Sequence, residues 1–189
     1  MGWRGHCFVA VLLALGVHLA SVWAYPRLVM YKLVTGVPAT SASERAYFPP
    51  ATDHTQRRIV MPSPDLLYAT CGYDLSHGAL DVSADPRLPG YWSIAGYADN
   101  TDNFLVINDR RAAGQAVTLR LLPPGQPAPP ADAARPGVVA PSMRGLLLMR
   151  VLVTQDVAAA ALDAARRTLS CTVVPQLQST DLQPRPKPG

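Results

Sequence analysis

Ser63–Arg110, SPDLLYATCGYDLSHGALDVSADPRLPGYWSIAGYADNTDNFLVINDR, is the stretch whose reading decides the fold. From Leu66 to Leu75, Leu67, Ala69, Cys71, Tyr73 and Leu75 point one way, and Tyr68, Thr70, Gly72 and Asp74 point the other. A period of two marks a half-buried strand. Ser76-His77-Gly78 carries turn chemistry, so Ala79–Ala84 reads as the returning strand of a hairpin. Asp85–Gly90, with two prolines, is a loop. Tyr91–Ala98 and Phe104–Asn108 are strands flanking the polar tip Asp99-Asn100-Thr101-Asp102-Asn103.

Working outward, Ala116–Leu122 is a further strand closed by Pro123-Pro124-Gly125. Residues 123–137 hold six of the 19 prolines and read as an exposed, mobile loop. Val138–Ala140 and Gly145–Val153 resume the sheet, and GLLLMRVLV is apolar on both faces, as a central strand requires. Val157, Ala161, Ala164, Ala165 and Leu169 repeat at helical spacing, with Thr154 as cap and Asp156 at the amino end. Beyond Cys171 the chain is proline-rich and polar, so a frayed tail is expected. No helices separate the strands, which argues against a parallel α/β fold. The expected class is mainly β, an antiparallel sandwich or jelly-roll-like sheet, with an N-terminal transmembrane helix and one C-terminal helix.

Toward the amino end, Cys7–Tyr25 is an apolar run whose only ionisable groups of note are Cys7, His18 and Tyr25. About 20 apolar residues cross a bilayer core, and Trp3, Trp23 and Tyr25 stand where an interfacial aromatic belt would be. Two readings are open: a signal peptide cut after Val22-Trp23-Ala24, or a retained anchor. The length of the run and the crowding by Trp23 and Pro26 favour the anchor. Pro26–Thr35 continues as helix beyond a kink and stops at Gly36. The organisation is then a signal anchor over 1–35, a lead-in over 36–62, a β domain over 63–171 with its terminal helix at 155–169, and a proline-rich tail over 172–189.

Charge excludes one class of function. The net +4 is carried mostly by Arg4, Arg27 and Lys32, which have no acidic counterpart before residue 36. The remaining chain is nearly balanced and lacks the basic stripe that nucleic acid requires. Arginine outnumbers lysine 15 to 2, as in a GC-rich bacterium. The expected location is the bacterial inner membrane, single-pass, with the β domain in the periplasm. In that oxidising compartment Cys71 and Cys171 form an even pair, either a disulfide or two buried thiols.

Catalytic and metal chemistry is sparse. Histidines 6, 18, 54 and 77 never approach ligand spacing, so no metal site and no cofactor are expected. Asp99, Asp102 and Asn103 could present oxygen atoms to a ligand or partner, or simply build a hairpin tip. Asp65, Tyr68 and Asp74 could supply two carboxylates and a phenol for acid–base work, with Arg110 lying on Asp65 or Asp74. Alternatively Asp65 ties down the entry turn and Asp74 caps the hairpin. Tyr91, Trp92 and Tyr97 read as packing in preference to a ligand cage.

Asp65 and Tyr68, then Asp74-Leu75-Ser76 with Gly78, then Tyr91-Trp92-Ser93, then Asp102-Asn103-Phe104 together resemble the DUF1254 family, bacterial proteins of unknown function. The usual pattern opens Asn-x-Asp-Thr-x-Tyr; Ser63 and Leu66 stand here in place of the Asn and the Thr. The resemblance is to the short, membrane-anchored type. It implies a complex with a similar small membrane protein carrying a DUF1214-type domain, and it implies no particular activity. The leading expectation is therefore a non-enzymatic, membrane-anchored periplasmic binding or interaction protein. The alternative is a cell-envelope enzyme, a hydrolase or carbohydrate-active protein, using Asp65, Asp74 and Tyr68.

Overall fold

The computed structural model describes residues 2–36, 46–53, 55, 62–127 and 135–175. Helix α1 (Trp3–Gly36) is followed by β1 (Ala46–Tyr47), β2 (Leu66–Asp74), a 3-10 turn (Leu75–His77) and β3 (Gly78–Ala84). Then come β4 (Trp92–Ala98), β5 (Asn103–Asn108), α2 (Asp109–Ala112), β6 (Val117–Leu122), β7 (Gly137–Val139), β8 (Arg144–Leu152), α3 (Ala159–Arg166) and β9 (Ser170–Pro175). One sheet runs β1-β2-β8-β4-β5, the other β7-β6-β3-β9. The two-layer, mainly β architecture is the class that the alternating pattern implies, and GLLLMRVLV lies at the centre of its sheet, as expected.

Each sheet turns one alternating set of residues to the shared core. Ala69, Cys71 and Tyr73 of β2, Ile94 of β4, and Leu147, Met149 and Val151 of β8 come from the first sheet. Leu80, Val82, Leu119 and Leu121 come from the second. Burial at about 25 cal/mol per Å² of apolar surface is what drives the two layers together. The layers are also joined covalently, because Cys71 on β2 bonds Cys171 on β9 across 100 residues of chain.

Four local expectations need correction. Asp74 and Gly78 bound an arch, not a hairpin: β2 pairs with β1 and β8, while β3 pairs with β6 and β9. Leu75 is drawn into the core and its N–H donates to the Met143 carbonyl, and Gly78 at φ 143° redirects the chain into the opposite layer. The outer face of β2 is also covered, so Tyr68 and Thr70 are buried where a half-buried strand would expose them. The terminal helix is shorter than 155–169, running Ala159–Arg166; Ala158 is its cap, without a side-chain bond, and Thr154 plays no such part. Finally, the chain beyond Cys171 is strand as far as Pro175, because β3 needs a partner on its second edge. The β6–β7 pair is parallel, which the connection over residues 123–136 is long enough to allow. Residues 128–134 of the expected mobile loop and 176–189 of the expected tail lie outside the described residues.

Helix α1 has 34 residues, about 51 Å at 1.5 Å per residue, and runs through Pro26 without ending. Its apolar side chains surround the axis, and Phe8, Leu13, Val17, Val22 and Trp23 are exposed. Among the described residues it is the helix long and apolar enough to cross a membrane. Its last turns behave differently: Met30 is buried, and Pro26, Leu33 and Val34 are partly covered, a set at helical spacing. The covering surface is the outer face of β2 and β8. A Cβ at Gly72 would stand 3.3 Å from the Val34 carbonyl oxygen, so glycine is what lets the helix lie so close.

Two arginine and tyrosine contacts complete the frame. Arg166 of α3 is buried, donating to the carbonyls of Pro49 and Tyr68 while paired with Asp163. It fastens the segment before β2 to β2 itself. Tyr73, fully buried, donates to the Tyr97 carbonyl at 3.2 Å and meets Phe104 edge-on, with ring centroids 6.4 Å apart. The ring occupies the space above Gly145.

Two outcomes test this packing. A Cβ at Gly145 would fall 2.1 Å from the Tyr97 carbonyl oxygen and 2.4 Å from the Tyr73 hydroxyl, so Gly145→Ala should cost about 3 kcal/mol or more in denaturant unfolding. An unchanged midpoint would contradict the packing described. Breaking the Cys71–Cys171 bridge, which closes 100 residues, should lower stability by up to about 4–5 kcal/mol. A midpoint indifferent to reductant, with both thiols shown to be reduced, would contradict the bridge's role.

Candidate functional site

The residues singled out in the sequence separate in space. Asp65 sits in the turn before β2, where its carbonyl accepts from Val153 N–H at 2.8 Å and its own N–H donates to Ser63 Oγ at 3.3 Å. Tyr68 uses its phenol oxygen to accept from the Ser63 N–H at 2.9 Å, which holds that turn down. Asp74 ends β2 nine residues later, roughly 30 Å away at ~3.3 Å per residue. Two carboxylates acting on one glycosidic bond need a separation of about 5–10 Å, so Asp65 and Asp74 do not make such a pair. Arg110 is exposed on α2 after β5, three strands from β2 and therefore ~14 Å removed across the sheet. The arginine on Asp74 is Arg144, bonded through Nε at 2.7 Å. Tyr91, Trp92 and Tyr97 also part company: Trp92 enters the core, Tyr91 is exposed, and the Tyr97 hydroxyl accepts from Arg150 at 2.7 Å.

The hairpin tip is largely self-satisfied. Asn100 donates from its amide to the Asp102 carboxylate at 2.6 Å and accepts from the Asp102 N–H at 3.1 Å. Asn103 donates to the carbonyls of Gly96 and Leu105 at 3.1 and 3.3 Å, beside the register shift between Gly96 and Tyr97. Its role is to hold the bulge. Among the described residues no three His, Cys, Asp or Glu side chains gather as a metal site, and His77 is exposed in the 3-10 turn. His54 lies outside the described residues.

What the fold does bring together is Asp74 and Asp99, in a groove of about 1070 Å³ between the end of α1 and one rim of the sandwich. Its apolar wall is Met30 and Val34 of α1 with Pro124, Pro141 and Met143. Its polar rim is Asp74, Ser76, Asp99, Ser142 and Arg144, and Arg27 and Tyr31 line the helix side. The rim is tightly bonded. Asp74 accepts from the Ser76 N–H and hydroxyl at 3.0 and 2.6 Å, and Ser142 Oγ donates to the Arg144 carbonyl while accepting from the Asp99 N–H. Both serine hydroxyls are engaged, Ser76 with the Asp74 carboxylate and Ser142 with the Arg144 carbonyl, and among the described residues no histidine lines the groove. The groove sets an apolar wall beside a polar, charged rim. The sequence signals missed were Gly72 and Gly145, glycines inside strands, which commonly mark close approach of another group.

Hydrogen bonds and a neighbouring cation hold Asp74 in its charged form. Burial alone would raise the Asp74 carboxyl, but the Ser76 hydrogen bonds and Arg144 outweigh it and hold the group below the usual carboxylate range. Asp81 on the outer face of the second sheet is lowered by its two-pronged bond from Arg120, at 2.6 and 2.9 Å, with Arg135 adding to it. Asp163 is lowered by Arg167 and then Arg166. Tyr73, beneath the groove, is pushed up to about 12, chiefly by burial.

These elements define a class: a two-sheet β-sandwich docked on the end of a long apolar helix. Residues 43–173 match the profile of DUF1254, described as protein of unknown function, and the chain belongs to that family. Among curated proteins nothing matches. Among solved structures, the VPA0106 protein from Vibrio parahaemolyticus is similar at TM-score 0.58 and 15% identity, over 82% of this chain and 37% of that one. An uncharacterised protein from Burkholderia cenocepacia is similar at TM-score 0.48 and 17% identity, over 91% of this chain and 44% of that one. The chain thus spans less than half the length of either. The Vibrio likeness speaks for the fold alone.

The pKa directions set a testable pH profile. The three lowered carboxylates stabilise the fold fully above about pH 4, and that contribution disappears as pH falls through their folded values. Tyr73 acts at the other end: its contribution is present below the ordinary phenol value of about 10 and is lost as pH rises towards about 12. Denaturant midpoints should therefore be flat from about pH 5 to 9 and fall on both sides, with Asp81→Asn reducing the acid limb. A steep slope within the plateau would contradict the assignment.

Proposed function

We propose that this protein is a single-pass protein of the bacterial inner membrane, anchored by the first two-thirds of α1, with its β-sandwich in the periplasm. The observation that carries the reading is the split character of α1: apolar and exposed all round until Tyr25, then docked on the sheet from Pro26 onward. A helix apolar on every side is at home in lipid, whereas a docked amphipathic turn belongs outside it. The Cys71–Cys171 bridge suits an oxidising compartment. The sandwich, over 63–171, works as a binding and interaction module, and its partner is a small membrane protein with a DUF1214-type domain.

Two arms test this. Proteinase K should digest the sandwich in spheroplasts but not in intact cells, leaving a carbonate-resistant anchor fragment. A mature chain beginning at Tyr25 would overturn the anchoring, and a sandwich protected in spheroplasts would overturn its periplasmic placement. Affinity purification of the intact chain in mild detergent should bring down a DUF1214-type protein in stoichiometric amount; its absence from membranes that express both would overturn the partner.

A further inference from the structure

The groove between α1 and the sandwich rim has a cation that its own surroundings leave available. Arg27 is the first formal charge after Arg4, so it stands where the apolar run ends. Its guanidinium donates once, to the Trp23 carbonyl at 2.7 Å, and lies 4.4 Å from the centre of the Trp23 ring. Among the described residues no carboxylate reaches it. A guanidinium has five donors in a planar fork matched to phosphate, and most of these remain open here. The other groove arginine, Arg144, is already bonded to Asp74. The groove that Arg27 lines also carries exposed Asp99 and half-buried Ser142. On the near side it is continuous with the exposed apolar flank of α1 at Val22, Trp23 and Tyr25.

An amphiphile with a phosphate between a polar head and an apolar tail fits that sequence of surfaces. A bilayer lipid is such a molecule, and Trp23 and Tyr25 are residue types that lie at headgroup level. We propose that the groove is a phospholipid headgroup site. The phosphate sits on Arg27, the head enters towards Ser142 and Asp99, and the acyl chains stay along α1 in the bilayer. The Asp99 carboxylate selects an amine-bearing headgroup, as in phosphatidylethanolamine, over an anionic one. A volume of about 1070 Å³ leaves ample room for the head. The proposal rests on the reading of α1 as a membrane span.

The test is native mass spectrometry of the full chain released from nanodiscs of equal phosphatidylethanolamine and phosphatidylglycerol. Wild type should retain one phosphatidylethanolamine per chain. Arg27→Gln and the groove-filling Met143→Trp should each reduce the lipid-bound fraction at least fivefold, and Asp99→Asn should abolish the preference between the two lipids. Retention unchanged in both Arg27→Gln and Met143→Trp, or no retention by wild type, overturns the site. Preference for phosphatidylglycerol in wild type overturns the headgroup assignment. Carbonate extraction of the same variants separates this from the anchor: all should stay in the membrane pellet whatever their lipid content, and release of wild type would count against the span itself.

Discussion

The absence of a side chain at Gly72 is the constraint on which the arrangement depends. The Val34 carbonyl lies 3.3 Å from where a Cβ would be, so the last turns of α1 rest directly on the backbone of β2. That contact converts a tether into a docked strut. Met30 gains cover from it, and the groove exists because the helix is held beside the rim and not swinging from it. A flexible leader would define no surface with the sandwich.

Strand β2 therefore has two kinds of neighbour. Its inner side chains, Ala69, Cys71 and Tyr73, build the core and the bridge to the second sheet. Its outer face receives α1 at Gly72, and its backbone receives Arg166 at the Tyr68 carbonyl. A buried arginine is costly unless every donor finds an acceptor, and here Asp163, Pro49 and Tyr68 supply them. Tyr73 links core and site: its ring fills the space over Gly145, and its hydroxyl lies beneath the groove that Asp74 and Asp99 line.

Much of this was legible in the residues. Alternation located β2, the polar tip at 99–103 marked β4 and β5 on either side of it, the doubly apolar run at 145–153 identified the central strand, and two cysteines in an exported-looking domain pointed to the bridge. What local pattern could not convey was direction across space. Ser76-His77-Gly78 announces a reversal, but whether the next strand pairs with the last or passes to the other layer depends on Leu75 finding the core. Strand β9 was hidden because Cys171–Pro175 precedes a polar, proline-rich tail, and only the open edge of β3 explains its extension. The polar candidates were grouped by proximity in sequence: Asp65 precedes β2 and Asp74 ends it, so they lie at opposite ends of that strand, while Asp99 comes to the groove with Asp74 from the β4–β5 hairpin. Arg27 was read only as a membrane flank; its place in the groove follows from helix docking, which composition does not encode.

The claim that α1 is docked can be tested by thiol accessibility along one helical turn. With Cys7 replaced by serine, Met30→Cys puts a thiol on the face of α1 that rests on the sheet, where Met30 is 4% exposed, and Tyr31→Cys puts one on a face that is 58% exposed. In native membranes maleimide should label Tyr31→Cys and spare Met30→Cys, and denaturant should open both to the reagent. Labelling of Met30→Cys as fast as Tyr31→Cys in the folded protein would show that the helix does not rest on the sheet and would contradict the account at its base.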